Sequence, residues 1–204
     1  MITDKPLRYC SYCGSSLRRS LLPGDPRARL VCSSCDAIIY ENPRPVVAAV
    51  IEEGGKVLLA RRAKGARAGR WDLPGGFVEL DETAEEALAR EVREEVGCEI
   101  RLHEVLGVFR EAAGTYGPSL NIHIRVSSLG EPHPTDEVSE VGWFGPDELP
   151  PAEEFAFEND IAALERWKAL PPPGGALGLC GGSPQNLLVV SLDYVFAPNH
   201  RYDP

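Results

Sequence analysis

The fold of this chain is decided by one stretch, GFVELDETAEEALAREVREEVGC, which occupies residues 76–98. Thr83, with Glu86 three residues later, forms a capping-box pattern, which is typical of a helix N-terminus. Apolar residues then recur at helical spacing and would form one stripe: Ala84, Ala87, Leu88 and Val92. Gly97 stands where helices commonly end in a left-handed residue. The pattern predicts a helix over residues 83–96, preceded by a glycine-bounded loop.

Three glutamates of this helix, Glu91, Glu94 and Glu95, project to one side, because residues three and four apart are neighbours on a helix. Like charges at that spacing repel, and a bound Mg²⁺ or Mn²⁺ would relieve the repulsion. A solvated acidic face is the simpler alternative, and it accounts for the charges. It does not account for the preceding loop, nor for Arg90 at a position where it could pair with Glu82.

Short apolar runs around this stretch predict strands at residues 46–51, 56–61, 100–109, 120–126 and 138–144. In the 120–126 run, Asn121, His123 and Arg125 alternate with apolar residues and would share one face. A second amphipathic helix is predicted over residues 152–170, with the anchors Phe155, Ile161, Leu164 and Trp167. Strands mixed with two helices indicate an α+β or α/β sandwich with helices on a central sheet.

Four of the six cysteines form two close pairs near the start of the chain: Cys10 and Cys13, then Cys32 and Cys35. Two such pairs can bring four thiolates into the tetrahedron that a structural Zn²⁺ requires. Free thiols or a redox pair are the alternatives, and the spacing favours zinc. Four sulfur ligands leave no open position for a substrate, so this site would be structural.

The stretch from Gly76 to Cys98 resembles the signature box of the Nudix hydrolases, with every fixed position filled. Its last position, usually a larger aliphatic residue, is Cys98. The segments WDLPGG at 71–76 and WFGPDELP at 143–150, together with Glu79, are also similar to that family. The resemblance covers about residues 45–170. The cysteine module, joined through residues 40–45, resembles the one in Nudix proteins that carry an N-terminal zinc ribbon.

The resemblance implies an α/β fold, the Nudix α/β/α sandwich with a mixed sheet, preceded by the small ribbon. We accordingly divide the chain into a zinc ribbon at 1–40, a Nudix hydrolase domain at 41–170, and a Pro/Gly-rich linker and C-terminal tail at 171–204. Homodimers are frequent among such relatives, so a homodimer is an expectation by analogy.

The same resemblance implies a metal site. Glu91, Glu94 and Glu95 would hold Mg²⁺ or Mn²⁺, helped by a backbone carbonyl of Gly75 or Gly76, while Arg90 would orient the cluster by pairing with Glu82. A glutamate from a later loop would complete the site; Glu137 is the candidate and Glu140 its competitor. Either Glu94 or Glu137 would act as the general base that activates water.

The expected reaction is hydrolysis of a phosphoanhydride in a nucleoside-diphosphate-linked small molecule. NADH pyrophosphatases of the family carry a Ser-Gln-Pro-Trp-Pro-Phe-Pro-like array after the box, and VFREAAGTY at 108–116 lacks it. ADP-ribose, FAD or a related dinucleotide is therefore expected. Of the cationic residues near 61–70, Arg62 is the candidate for phosphate contact. Phe109 and Tyr116 are candidates for stacking on a base, as are Phe155 and Phe157, although such residues more often belong to the core.

Charge and composition limit the alternatives. A net charge of −10 repels phosphate backbones, so nucleic-acid binding, including RNA-end or cap hydrolysis, is not expected. A catalytically silent metabolite-binding regulator is a second alternative, but silent relatives usually lack box glutamates. No apolar run is long enough to span a bilayer, and the polar start does not resemble a secretory signal, so we expect no membrane partner and a cytoplasmic location.

Overall fold

The computed structural model describes residues 7–65, 67–114 and 117–171, with backbone alone at 112–114. The chain divides into two compact units, residues 1–44 with 111–120, and residues 45–110 with 121–204. Tyr116 lies outside the described residues, as does the tail expected at 171–204 apart from Pro171.

The smaller unit contains a three-stranded antiparallel sheet in the order β1-β2-β3. Its strands are β1 (Leu17–Leu21), β2 (Ala28–Cys32) and β3 (Ile38–Ile39). The buried apolar residues of the described part of this unit are few: Cys10, Leu30, Val31 and Cys32. A core of this size stabilises a domain weakly, so small modules of this kind commonly depend on a metal for folding.

The larger sheet has seven strands, in the order β10-β5-β4-β9-β8, with β6 paired to β5 and β7 paired to β4. These strands are β4 (Arg44–Glu53), β5 (Lys56–Arg62), β6 (Trp71–Asp72), β7 (Gly75–Phe77), β8 (Glu99–Gly114), β9 (Gly117–Leu129) and β10 (Val138–Phe144). Each strand expected from the sequence is present, and β8 and β9 are longer than their apolar runs.

Two helices cover this sheet, α1 (Ala84–Val96) and α2 (Glu158–Lys168). Side chains alternate across β4, so Val47, Ala49 and Ile51 pack in one apolar cluster with α1. Ala48 and Val50 belong to a second cluster with α2. The helices therefore lie on opposite faces, which confirms the expected α/β/α sandwich. At 13 and 11 residues, they are the longest helices of the described part of the chain and too short to cross a bilayer.

Helix α1 has the ends that the sequence predicts. The Thr83 hydroxyl accepts a hydrogen bond from the Glu86 N–H at 3.2 Å, and the Thr83 N–H donates to the Glu86 carboxylate at 2.8 Å. At the other end, Gly97 has φ of +67° and its N–H donates to the Arg93 carbonyl. These caps satisfy backbone groups that a helix leaves unpaired, and they fix where the glutamates fall.

The second helix begins later than expected, so the predicted start at residue 152 is wrong. Residues 152–154 form a single 3₁₀ turn, and α2 starts at Glu158. Between them, buried Phe155 bridges to Trp71, and the Ala156 N–H donates to the Trp71 carbonyl at 2.7 Å. Tertiary pairing with Trp71 holds this segment extended, which prevents the helix from continuing through it.

Candidate active site and metal centre

The loop before α1 and the glutamates on α1 meet because β7 pairs with the central strand β4. In this pairing Gly76 lies opposite Val47, and Gly75 lies opposite Ala48. The Gly75 N–H donates to the Glu95 carboxylate at 3.0 Å. A side chain at Gly76 would strike the carboxylate of Glu91. Glycine at 76 leaves room for the Glu91 carboxylate to lie directly against the backbone.

Arg90 is the centre of an ion-pair network on the same helix. Its Nε and Nη2 donate to the two carboxylate oxygens of Glu82 at 2.6 and 2.8 Å, so the pairing expected between these residues is present. Its Nη1 donates to Glu91 at 2.8 Å and to Glu94 at 3.3 Å. The carbonyl of Phe77 accepts a further bond from Nη2. Arg90 therefore ties the loop before the helix to two of its glutamates.

The three glutamates differ in environment. The Glu91 side chain is 14% exposed and that of Glu94 is 56% exposed. Burial raises the pKa of Glu91 against the opposing effect of Arg90. Burial, reinforced by the charge of Asp72, raises the pKa of Glu95 to about 8. Both shifts mean that negative charge at these positions lacks a sufficient counter-charge, and a divalent cation would supply one.

A pocket of about 200 Å³ opens beside Glu95. Its charged lining residues are Arg62, Lys64, Asp72, Glu95 and Glu137. The pocket combines cations, which suit phosphate oxygens, with carboxylates, which suit a metal ion or a proton transfer.

The later-loop candidates take different positions. Glu137 lines the pocket with Glu95, and its charge contributes to the raised pKa of Glu91. The competitor Glu140 pairs with Arg61 at 2.8 Å on the neighbouring strands. Glu137 is therefore the one of the two that the structure brings to the box glutamates.

Among the described residues, the four cysteines are the only group of metal-ligating side chains whose ligand atoms all lie within 4.8 Å of one another. The box glutamates do not converge in this way. Glu91 and Glu94 face Arg90, whereas Glu95 faces Gly75 and the pocket. A cation shared by all three would therefore require at least one of these side chains to change its orientation.

The cationic residues near the pocket are mostly held by local partners. Arg61 binds Glu140, and the guanidinium groups of Arg67 and Arg70 donate to the backbone carbonyls of Ala156 and Phe155. Arg62 lines the pocket and is also held by a local partner, because its Nη1 donates to Asp72 at 2.5 Å.

The aromatic candidates for base stacking lie in varied settings. Phe109 is packed edge-on against His123, with ring centroids 5.1 Å apart, and the Arg166 guanidinium lies 4.5 Å above it. Phe155 is buried in the core. The guanidinium of Arg67 lies 4.5 Å from the centre of the Phe157 ring, and that of Arg62 lies 5.7 Å from the same ring. Phe157 thus neighbours the pocket-lining Arg62.

The cysteine cluster has the geometry of a tetrahedral zinc site. Sulfur atoms are 3.4 Å apart between Cys13 and Cys32, 3.6 Å between Cys13 and Cys35, and 3.8 Å between Cys10 and Cys35. Zn–S bonds of about 2.3 Å in a tetrahedron place sulfurs about 3.8 Å apart. The N–H groups of Tyr12, Ser34 and Cys35 point at these sulfurs, as donors that stabilise thiolates. The donor set fits Zn²⁺.

Sequence reasoning missed three polar residues at and behind the pocket: Asp72, which lines it, and His123 and Asp160. All three are buried. The alternation in β9 was the available signal for His123, since three polar side chains recur on one face. What the sequence did not show is that α2 covers this face.

Comparison with known families decides the classification. A model of the NUDIX domain matches residues 42–167. This chain belongs to the NUDIX domain family. A second model, of the Nudix zinc ribbon described as "Nudix N-terminal", matches residues 8–41 of this Nudix chain.

Relatives of this Nudix chain have diverse names. It is 34% identical to an "ADP-ribose pyrophosphatase" of Methanocaldococcus jannaschii, over 64% of this chain and 78% of the relative. It is also 34% identical to an "NAD-capped RNA hydrolase NudC" of Pseudomonas fluorescens, over 71% of this chain but only half of the NudC protein. A crystal structure of a NUDIX hydrolase from Nitrosomonas europaea superposes with a TM-score of 0.66 at 31% identity, covering 79% of this chain and 89% of that one.

Proposed function

We propose that this Nudix chain is a Mg²⁺- or Mn²⁺-dependent hydrolase of a phosphoanhydride in a nucleoside-diphosphate-linked small molecule. ADP-ribose, FAD or a related dinucleotide is the expected substrate. One observation carries the proposal: Glu95, one of the three box glutamates on α1, lines a pocket that also presents Arg62 and Lys64. Relatives named as pyrophosphatases support the same chemistry.

The box residues would hold the cation. Glu91, Glu94 and Glu95 offer carboxylate oxygens, and Gly76 offers a backbone carbonyl at the start of the loop. A bound divalent cation supplies charge neutralisation of the diphosphate and a lowered pKa for a bound water. Arg90, anchored bidentately on Glu82, donates to both Glu91 and Glu94 and so would orient their carboxylates.

The pocket residues would bind substrate and move the proton. Arg62 and Lys64 line the pocket and attract the phosphate oxygens. A carboxylate then accepts the proton of the water that attacks phosphorus. Glu137, on the pocket wall, and Glu94, on the exposed face of α1, are the candidates for this base.

The ribbon would hold one Zn²⁺ through Cys10, Cys13, Cys32 and Cys35, in a structural role. With four sulfur ligands the metal has no open position, so it takes no part in the hydrolysis. The homodimer expected by family analogy stays a prediction, which sedimentation equilibrium would test.

RNA ends are a second candidate substrate, favoured by the relative named as an NAD-capped RNA hydrolase. An NAD cap presents the same phosphoanhydride as a free dinucleotide. The net charge of −10 opposes binding of the attached RNA chain. The small molecule is therefore the favoured substrate, and a silent regulator is disfavoured because all the box glutamates are present.

A substrate panel tests the proposal. Purified protein with Mg²⁺ or Mn²⁺ is assayed on ADP-ribose, FAD, NADH, diadenosine polyphosphates, dNTPs and NAD-capped RNA. We expect AMP release from ADP-ribose or FAD, and loss of that activity in Glu94→Gln. Glu85→Gln, in the first turn of the same helix, is the matched control and should remain active. Full activity in Glu94→Gln would refute its assignment, and turnover of capped RNA alone would favour the second candidate.

A further inference from the structure

A buried chain of polar side chains leads from the pocket into the interior of the larger unit. Arg62 donates to Asp72, Asp72 is hydrogen-bonded to Asp160 of α2, and Oδ1 of Asp160 lies 3.0 Å from Nε2 of His123 on β9. Side-chain exposure falls along this chain, from 30% at Arg62 through 12% and 4% to 1% at His123. Of the four residues, Arg62 is thus the one with substantial exposure at the pocket.

The ionisable groups of this buried chain shift one another's pKa values. Burial raises the pKa of Asp72 well above its usual value, and the charge of Asp160 raises it further. Two carboxyl groups in contact disfavour simultaneous ionisation. Burial lowers the pKa of His123 to about 4, so a neutral ring can donate from Nε2 to Asp160. The Arg62 guanidinium, 2.5 Å from Asp72, opposes the rise in the pKa of Asp72 by favouring its ionised form.

We infer that Asp160 and His123 are positioning residues, which act through Asp72 to hold the Arg62 guanidinium at the pocket wall where the diphosphate binds. An arginine side chain has several rotatable bonds and loses conformational entropy when it is fixed on a ligand. Asp72 fixes one edge of the guanidinium before the ligand arrives, which reduces that loss on binding. The inference rests on the proposed function in that the ligand is a diphosphate.

A purely structural role is the competing explanation. The four residues join β5, β6, β9 and α2, so they also help α2 pack on the sheet. A structural role predicts lower thermal stability with unchanged substrate binding. A positioning role predicts weaker substrate binding in molecules that are still folded, and recovery when the hydrogen bonds are restored.

Three variants separate these roles. Asp160→Ala removes both hydrogen bonds, whereas Asp160→Asn retains an acceptor for His123 and a donor for Asp72. Asn159→Ala, next to it on α2, is the control. Because one anchoring hydrogen bond is worth about 1 kcal/mol, we expect the KM for ADP-ribose to rise roughly 5- to 10-fold in Asp160→Ala, with kcat changed less. KM should stay near the wild-type value in Asp160→Asn and Asn159→Ala.

An NMR measurement tests the anchoring without any turnover. The hydrogen-bonded Arg62 Nη1–H resonance, assigned by its disappearance in Arg62→Lys, should persist in Asp160→Asn and broaden in Asp160→Ala. If Asp160→Ala does not fold, Asp72→Leu, which has similar volume and no acceptor, should give the same broadening and the same rise in KM. An unchanged resonance and an unchanged KM in a folded Asp160→Ala or Asp72→Leu protein would overturn the inference. Absence of any hydrolysis by the wild type would instead contradict the proposed function, and the resonance would still decide whether Arg62 is anchored.

Discussion

The guanidinium of Arg90 forms two parallel hydrogen bonds with the carboxylate of Glu82, from Nε at 2.6 Å and from Nη2 at 2.8 Å. The hydrogen bond from Arg90 lowers the pKa of Glu82 to about 2, so this carboxylate stays ionised at any working pH. Because the remaining Nη1 reaches Glu91 and Glu94, the orientation of the whole group depends on this bidentate pair.

We expect Arg90→Lys to lower kcat by roughly 10- to 100-fold, because an ammonium cannot form the bidentate pair and small misplacements of reacting groups are costly. Steady-state kinetics with saturating Mg²⁺ measure the effect. The matched control is Arg93→Lys on the same helix, whose pair with Glu99 is exposed and should matter little. Wild-type kcat in a folded Arg90→Lys protein would refute the orienting role.

Replacing the adjacent glycines Gly75 and Gly76 by alanine should have different effects, one on stability and the other on activity. In Gly76→Ala the new methyl group meets the end of the flexible Glu91 side chain, so the fold should tolerate it while the carboxylate is displaced and activity is lost. In Gly75→Ala the methyl group meets the backbone of Val47 and Ala48, so β7 cannot pair with β4 and the protein should be destabilised. Thermal unfolding combined with activity assays distinguishes the two, and equal loss of stability in both would contradict this reading.

Removal of zinc should unfold the ribbon, because the described part of that unit has few buried apolar residues. Metal analysis of the purified protein should find one zinc per chain. Cys13→Ser should reduce the zinc content below one equivalent, with loss of chemical-shift dispersion for the strands at 17–39. Cys98→Ala, at a buried cysteine of the α1 cluster, is the control and should retain zinc. Zinc-free protein with an intact ribbon would rule out the metal as its structural support.

Because His123 is buried, we expect the free energy of unfolding to decrease in weak acid. Its pKa is lowered from 6.5 to about 4 in the folded protein, chiefly by burial, so below pH 6.5 the unfolded chain binds the additional proton more readily. The contribution of neutral His123 to the free energy of unfolding is therefore complete above pH 6.5. It is lost as the pH decreases towards 4, which lowers that free energy by up to roughly 3 kcal/mol. Urea unfolding at several pH values measures this slope. In His123→Gln the slope over this window should be smaller, and an identical slope would show that another group is responsible.

Local sequence patterns were sufficient to predict much of the fold. The capping box at Thr83, the left-handed end at Gly97 and the strand at 138–144 are present as predicted, because caps and alternation act over a few residues. The start of the second helix was wrong because Phe155 pairs with Trp71, more than 80 positions earlier, and this contact overrides local helical periodicity.

The sequence by itself determined the glutamate helix and its Arg90–Glu82 pair, the paired cysteines and the family resemblance, since each depends on spacing along the chain. Only the tertiary structure decided that Glu137, not Glu140, reaches the pocket, and that Arg62 is backed by Asp72, Asp160 and His123. Those residues lie on strands and helices far apart in sequence. Their contacts follow from the order of strands in the sheet and from α2 covering one face, which no local pattern specifies.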